Sequence, residues 1–285
     1  MKIQWYPGHM TKARRAMEED IKKVDAVIEI LDARIPLSSR NPDLDKMARD
    51  KFRLIVLNKQ DLADDAKTGD WIRYFKKAGI SAIAVEGRVK STKSAVEKAI
   101  TEVCREKLDK MRAKGYLNPG IRAMIVGVPN TGKSTVINTL CQKASAKTGN
   151  TPGVTKSNQW LTVSKTLSVL DTPGILWPRF ENETVGTHLA YFGSVNDDIL
   201  NNQELAVNLI EELNREDPVI LKKRYGITNC PGTSPVSVLE EIGIARNVMK
   251  KGGEVDYNRT SDLIINDLRS GKLGRITLER PEENG

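Results

Sequence analysis

The sequence predicts an α/β fold, a doubly wound and mostly parallel sheet covered on both faces, followed by an all-helical C-terminal region. Two observations carry this. Short apolar, β-branched runs alternate with helical patterns through the first part of the chain, as expected where helices cross between parallel strands. After Trp177 the strand signals almost vanish and helical patterns take over. With 285 residues the chain is long enough for one larger and one smaller domain, which we place at residues 1–177 and 178–285.

The elements follow in order. Residues 10–24 are rich in Lys, Arg, Glu and Ala and read as a basic helix. Residues 26–31 form a buried strand, 42–50 a helix and 53–57 a second apolar strand ending at Asn58. Residues 70–78 are helical and Gly79 stops them. Residues 81–85 form a third strand, 94–114 one long helix, and Asn118-Pro119-Gly120 a turn. Residues 122–126 form a fourth strand that runs into a glycine-bearing loop, and 134–141 begin the next helix. The polar Gly/Pro/Thr stretch 148–157 reads as a mobile loop. Residues 159–163 and 167–170 pair as strands, the second ending at Asp171. Helices are expected at 203–214, 218–225, 236–242 and 261–268.

Composition narrows the classes. Hydrophobic residues make up 39% and charged residues 29%, which suits a soluble globular protein. No apolar run approaches the ~20 residues that span a bilayer, and the first residues lack the apolar core of a signal peptide. Cys104, Cys141 and Cys230 stand far apart without metal-ligand spacing, consistent with thiols in a reducing cytoplasm. The net charge of +8 points to a polyanionic partner. The charge is uneven: residues 176–285 hold 13 Lys and Arg against 18 Asp and Glu, which leaves 32 against 19 in the rest. The positive field therefore belongs to the first domain.

Gly127-Val128-Pro129-Asn130-Thr131-Gly132-Lys133-Ser134 matches the phosphate-binding loop pattern in full, between an apolar strand and a helix. Its backbone N–H groups, through Thr131, Gly132 and Thr135, can wrap phosphates at a helix N-terminus. Lys133 is placed to reach the β- and γ-phosphates and Ser134 to coordinate Mg²⁺. Asp171-Thr172-Pro173-Gly174 ends a later strand, where Asp171 can hold Mg²⁺ through water and the Gly174 N–H can bond the γ-phosphate. Thr155, in the loop between, is the candidate switch threonine that completes the metal shell with a triphosphate. Asn58-Lys59-Gln60-Asp61 supplies base choice: the Asp61 carboxylate can accept from both N–H groups of guanine, and adenine would leave it unpaired. Glu86 and Gly87, after the third strand, are expected to offer backbone N–H groups near the base. The base-reading tetrapeptide precedes the phosphate loop, the reverse of the ordinary order. The sequence thus reads as a GTPase with rewired strands, a circularly permuted P-loop GTPase that binds GTP and GDP.

Two positions bear on turnover. Ras-type GTPases carry a water-orienting glutamine just after the glycine of D-x-x-G; here that position is Ile175, whose alkyl group cannot orient water. His9, before the basic helix, has two readings: an imidazole that positions or deprotonates water near neutral pH, or a helix-start or RNA-contacting residue. Asn130 has two as well, a turn residue or a side-chain oxygen that helps bind a monovalent cation beside the phosphates.

The segments Trp5-Tyr6-Pro7-Gly8-His9-Met10, Asp32-Ala33-Arg34-Ile35-Pro36, the two nucleotide motifs and the stretch from Asp171 to Pro178 together resemble the circularly permuted GTPases of the RbgA (YlqF) ribosome-assembly family, over nearly the whole chain. The resemblance implies an enzyme that hydrolyses GTP faster when docked on the large (50S) ribosomal subunit precursor and promotes a late maturation step. It implies partners in rRNA and ribosomal proteins, a helical domain that touches rRNA, Mg²⁺, and K⁺ held with the help of Asn130. It further implies a hydrophobic residue in place of the catalytic glutamine, matching Ile175, and a catalytic role for His9. The alternative class is a weakly or non-catalytic, nucleotide-dependent RNA-binding scaffold, which Ile175 keeps open. A third reading is a GTPase acting in translation or RNA modification, which would bind a tRNA or the mature ribosome rather than a precursor subunit.

Overall fold

The computed structural model describes residues 7–142, 158–174, 176, 182–197, 200–228 and 232–281, with side chains from Arg14 onward. Its centre is a six-stranded sheet in the order β3-β2-β1-β4-β6-β5. The strands are β1 (Ala26–Asp32), β2 (Phe52–Asn58), β3 (Ser81–Val85), β4 (Ile121–Val126), β5 (Gln159–Thr162) and β6 (Leu167–Asp171). All pairings are parallel except that of the edge strand β5 with β6. Every residue of β1 is buried, as its continuous apolar run requires of a central strand covered on both sides.

Alternation along the strands sends side chains to two cores. On one face Ile28, Ile30, Leu54, Val56, Ala123 and Ile125 meet helices α4 (Ser91–Val103), α5 (Arg105–Ala113) and α6 (Lys133–Cys141). On the other, Val27, Met124 and Val126 pack against Met17 and Ile21 of α1 (Pro7–Ile21) and Leu44 of α2 (Asp43–Met47). Beside them Leu31, Ile55 and Leu57 pack against Trp71 and Phe75 of α3 (Asp65–Lys77). Both aromatic rings are fully buried, so truncating either to Ala costs about 3–5 kcal/mol. The doubly wound sheet expected from the alternation is therefore present.

Helices α7 (Glu183–Tyr191), α8 (Asn202–Glu216), α9 (Ile220–Tyr225), α10 (Pro235–Ala245) and α11 (Tyr257–Arg269) form the helical region around one core of Leu189, Leu205, Leu209, Leu213, Leu239, Ile242, Ile264 and Leu268. Ile35, Val128 and Leu176 of the sheet region join that core. After α11 the chain returns to the sheet region: Ile276 N donates to Leu62 O at 3.0 Å and Leu278 N to Arg34 O at 2.9 Å.

Some element bounds differ from the sequence expectation. The helix expected over residues 94–114 is two helices that meet at Cys104, with φ −92 and ψ 10. Cys104 N still donates to Ile100 O, so the break is local. Helix α3 starts well before Asp70 because the Asp64 side chain caps it, accepting from Lys67 N at 2.8 Å. Helix α7 was not expected. The loop 148–157 lies outside the described residues.

Candidate nucleotide site

The site lies where β1, β2, β4 and β6 end, at the carboxyl edge of the sheet, the usual place for a ligand in open α/β folds. Three loops meet there on one side chain. Asn58, buried at the end of β2, donates from Nδ2 to Thr131 O at 2.8 Å and accepts from Gly87 N at 2.8 Å through Oδ1. Loops distant in sequence, 58–61, 86–87 and 127–134, are thereby fastened together. The fit explains the glycines. A Cβ on Gly132, which has φ +86, would lie 2.3 Å from Asn58 Nδ2, and one on Gly127 would lie 2.7 Å from Ile30 O.

Lys59 has the left-handed conformation, φ 61 and ψ 37, and its Nζ donates to Asn130 O at 2.6 Å and Asp32 Oδ2 at 2.9 Å. The base-reading and phosphate loops are thus joined a second time. Gln60 and Asp61 follow in a short 3₁₀ turn, Gln60–Leu62. Asp61 is exposed and pairs with no side chain among the described residues, so its carboxylate stands available to a base. Glu86 is half-buried, and its carbonyl accepts from Thr92 Oγ1 at 2.6 Å.

On the phosphate side, Lys133 Nζ lies 2.5 Å from Asp171 Oδ1, and both groups are buried. The residues expected to hold the phosphates and the metal therefore stand at one point. Ser134 follows Lys133 in the first turn of α6. Thr172 Oγ1 donates to Ile125 O at 2.8 Å and ties the D-x-x-G segment to β4. Gly174 sits close beneath the phosphate loop: a Cβ there would come within 3.1 Å of Pro129 N. Thr131 Oγ1 bonds Val128 O at 3.0 Å inside the loop, and Thr135 is half-buried in α6. The donor set of a hydroxyl and a carboxylate suits a hard cation such as Mg²⁺.

Asn130, with φ +63, donates from its side-chain nitrogen to Gly193 O beyond α7. His9 falls in the first turn of α1, but its side chain lies outside the described residues, as do Thr155 and Ile175.

Sequence reasoning missed several residues around the site. Asp32 and Arg34 form a buried bidentate pair at 2.8 Å. Burial alone would push the Asp32 carboxyl up, but Arg34 and Lys59 hold it well below the usual carboxylate range. Ser194 Oγ donates to Pro129 O at 2.7 Å. The signal for Asp32 and Arg34 was present in the Asp32-Ala33-Arg34-Ile35-Pro36 segment, but its spacing does not reveal their partners.

A phosphate loop, a D-x-x-G segment and a base-reading loop converging at one sheet edge, the last coming first in the chain, define a circularly permuted P-loop GTPase. Comparisons with known proteins agree. A profile of the family described as "50S ribosome-binding GTPase" matches residues 122–225. The ribosome biogenesis GTPase A of Bacillus cereus is 48% identical, covering 100% of this chain and 96% of that protein. The protein of the same name from Thermotoga maritima is 33% identical over 99% of this chain and 95% of its own length. Among solved structures, a GDP-bound structure of TM YlqF has a TM-score of 0.70 at 29% identity, covering 94% of this chain and 100% of that one. A GNP-bound YlqF from T. maritima has a TM-score of 0.67 at 29% identity over 95% and 99%. The chain belongs to the ribosome biogenesis GTPase A family and is a GTPase.

Proposed function

We propose that this GTPase binds the precursor of the large (50S) ribosomal subunit, promotes a late step of its maturation, and hydrolyses GTP faster when docked there. The observation that carries the nucleotide part is Asn58, which joins the base-reading loop, the 86–87 loop and the phosphate loop within hydrogen-bond distance. The ribosomal part rests on the family and on the basic first domain. In this reading Asp61 selects guanine, with backbone N–H groups of Glu86 and Gly87 near the base. Asn130, Thr131, Gly132, Lys133, Ser134, Thr135 and Gly174 surround the phosphates. Ser134, Asp171 and Thr155 hold Mg²⁺, which offsets the charge that develops on the transferred phosphoryl group.

His9 positions or deprotonates the attacking water, the task that Ile175 cannot perform. K⁺ is held beside the phosphates with the help of Asn130. Residues 1–177 form the catalytic unit and 178–285 the RNA-facing one, acting in the cytoplasm. The experiment is GTP turnover by purified protein with and without large subunits, in K⁺ and in Na⁺ buffers. Stimulation by the subunit supports the proposal, and turnover indifferent to it contradicts it. A tenfold or greater loss of stimulated kcat in His9→Ala, at the low end of what general acid–base groups contribute, assigns His9. Normal turnover of that variant removes it from the mechanism.

A further inference from the structure

The Asp32–Arg34 pair lies beside the nucleotide loops, and among the described residues its side chains form no hydrogen bond to the phosphate loop or to Asp61. Its connections form a closed circuit. Asp32 Oδ2 accepts from Lys59 Nζ at 2.9 Å, and the same Nζ donates to Asn130 O at 2.6 Å. Asp32 is gripped by Arg34 through Nε and Nη2, both at 2.8 Å. The third guanidinium nitrogen, Nη1, reaches the end of α11 and donates to Leu268 O at 3.3 Å and Arg269 O at 3.0 Å. Arg269 in turn donates to Tyr191 O at 2.8 Å and Ala190 O at 2.9 Å, at the end of α7. Two residues on, Gly193 O accepts from the Asn130 side chain, and Ser194 Oγ donates to Pro129 O at 2.7 Å. The Arg34 guanidinium also lies 4.1 Å from the centre of the Phe192 ring.

Each nitrogen of the fork is used, and the plane is stacked. A lysine has neither the fork nor the plane, so it cannot reproduce this junction. A buried ion pair can be merely a structural fixture, since its desolvation offsets much of its attraction. Here one end of the pair sets the lysine that spans the base-reading and phosphate loops, and the other end holds backbone of the helical region. Any nucleotide that fixes Lys59 and Asn130 fixes both ends of the circuit.

We infer that Arg34 is a positioning residue: it sets Lys59 against the phosphate loop and couples guanine-nucleotide binding to the junction of α7 and α11, by a route separate from the segment after Gly174. The inference rests on the nucleotide site proposed above. By linkage, what nucleotide binding does to the junction, the junction does to nucleotide affinity.

The test has two arms on the full-length protein. In the wild type, GDP is expected to slow hydrogen exchange at the amides of Ser270, Gly271 and Lys272, which close α11 onto Asn266, Leu268 and Asp267. In Arg34→Lys, GDP and GTP are both expected to bind about tenfold more weakly, within the span of known couplings. KM should rise by a similar factor with kcat falling less than threefold, and the GDP-induced protection should be lost. An Arg34→Lys protein that folds and binds GDP as the wild type does overturns the inference. So does wild-type exchange at those amides that ignores GDP, which decides the matter even if the variant fails to fold. Failure of the underlying site looks different: Asp61→Asn would then not exchange guanine for xanthine preference, whatever Arg34 does.

Discussion

The base side and the phosphate side of the site are built in opposite ways. On the base side, the hydrogen bonds of Asn58 and the bonds of Lys59 to Asp32 and Asn130 hold the loops in place, and the carboxylate of Asp61, proposed to read the base, stands exposed. On the phosphate side, Lys133 and Asp171 are buried against each other. In the proposed reading a base docks on a finished frame, whereas a phosphate and its metal divide an existing ion pair between them. That reading assigns guanine selectivity to the hydrogen-bonded frame, and sensitivity to phosphate and Mg²⁺ to the Lys133–Asp171 pair.

The largest test of this contrast is Lys133→Ala. It strands the buried Asp171 carboxylate and should destabilise the nucleotide-free protein by about 3–5 kcal/mol, measured by urea unfolding. Added Mg²⁺ should recover part of that loss, because a cation can take the place of the ammonium. Loss of stability that Mg²⁺ leaves untouched would break the contrast.

The next test concerns the return of the chain to the base side. His188 is buried between Glu212 at 2.8 Å and Glu279 at 2.9 Å, and Glu279 also accepts from the backbone N–H groups of Leu37 and Ser38. Burial pulls the imidazole pKa down, but the two glutamates outweigh it and push it up to about 9. Raised above its ordinary value of 6.5, His188 stabilises the fold fully below pH ~6.5, and that contribution is lost as pH rises through about 9. The contribution is on the order of 3 kcal/mol. Stability should fall between pH 7 and 10 in the wild type and far less in His188→Gln. A parallel decline in both proteins would remove His188 from the account.

Asn58→Ala should have the smaller effect, about 1–3 kcal/mol for the unsatisfied Gly87 N–H and Thr131 carbonyl. It should weaken GTP and GDP alike, since it loosens the frame and not the phosphate contacts. A loss confined to GTP would move Asn58 to the phosphate side.

Much of this was legible in the sequence for stated reasons. The strands are buried on both faces, so they appear as unbroken β-branched runs, and the loops carry residues that only close backbone approach explains, such as Gly132 against Asn58. The permuted order was legible because both motifs are short and contiguous. What stayed hidden depends on distant partners. Arg34 reaches α11 across more than two hundred positions, which no local pattern encodes. Helix α7 carries Gly186, two threonines and His188, poor helix formers that hold only because Leu189 and Tyr191 are buried. The return segment after α11 is short and is held by distant partners: Ile276 N and Leu278 N donate to Leu62 O and Arg34 O, Thr277 Oγ1 to Ala33 O, and Trp71 Nε1 to Glu279 O.

The claim beneath all of this is that the loops after β2 and β4, which flank β1, close on one guanine nucleotide. Displacement of fluorescent GDP from the wild-type protein by GTP and by ATP tests it directly. The account requires GTP to displace the probe and ATP to fail even at a hundredfold excess; displacement by ATP at concentrations similar to those of GTP would contradict it.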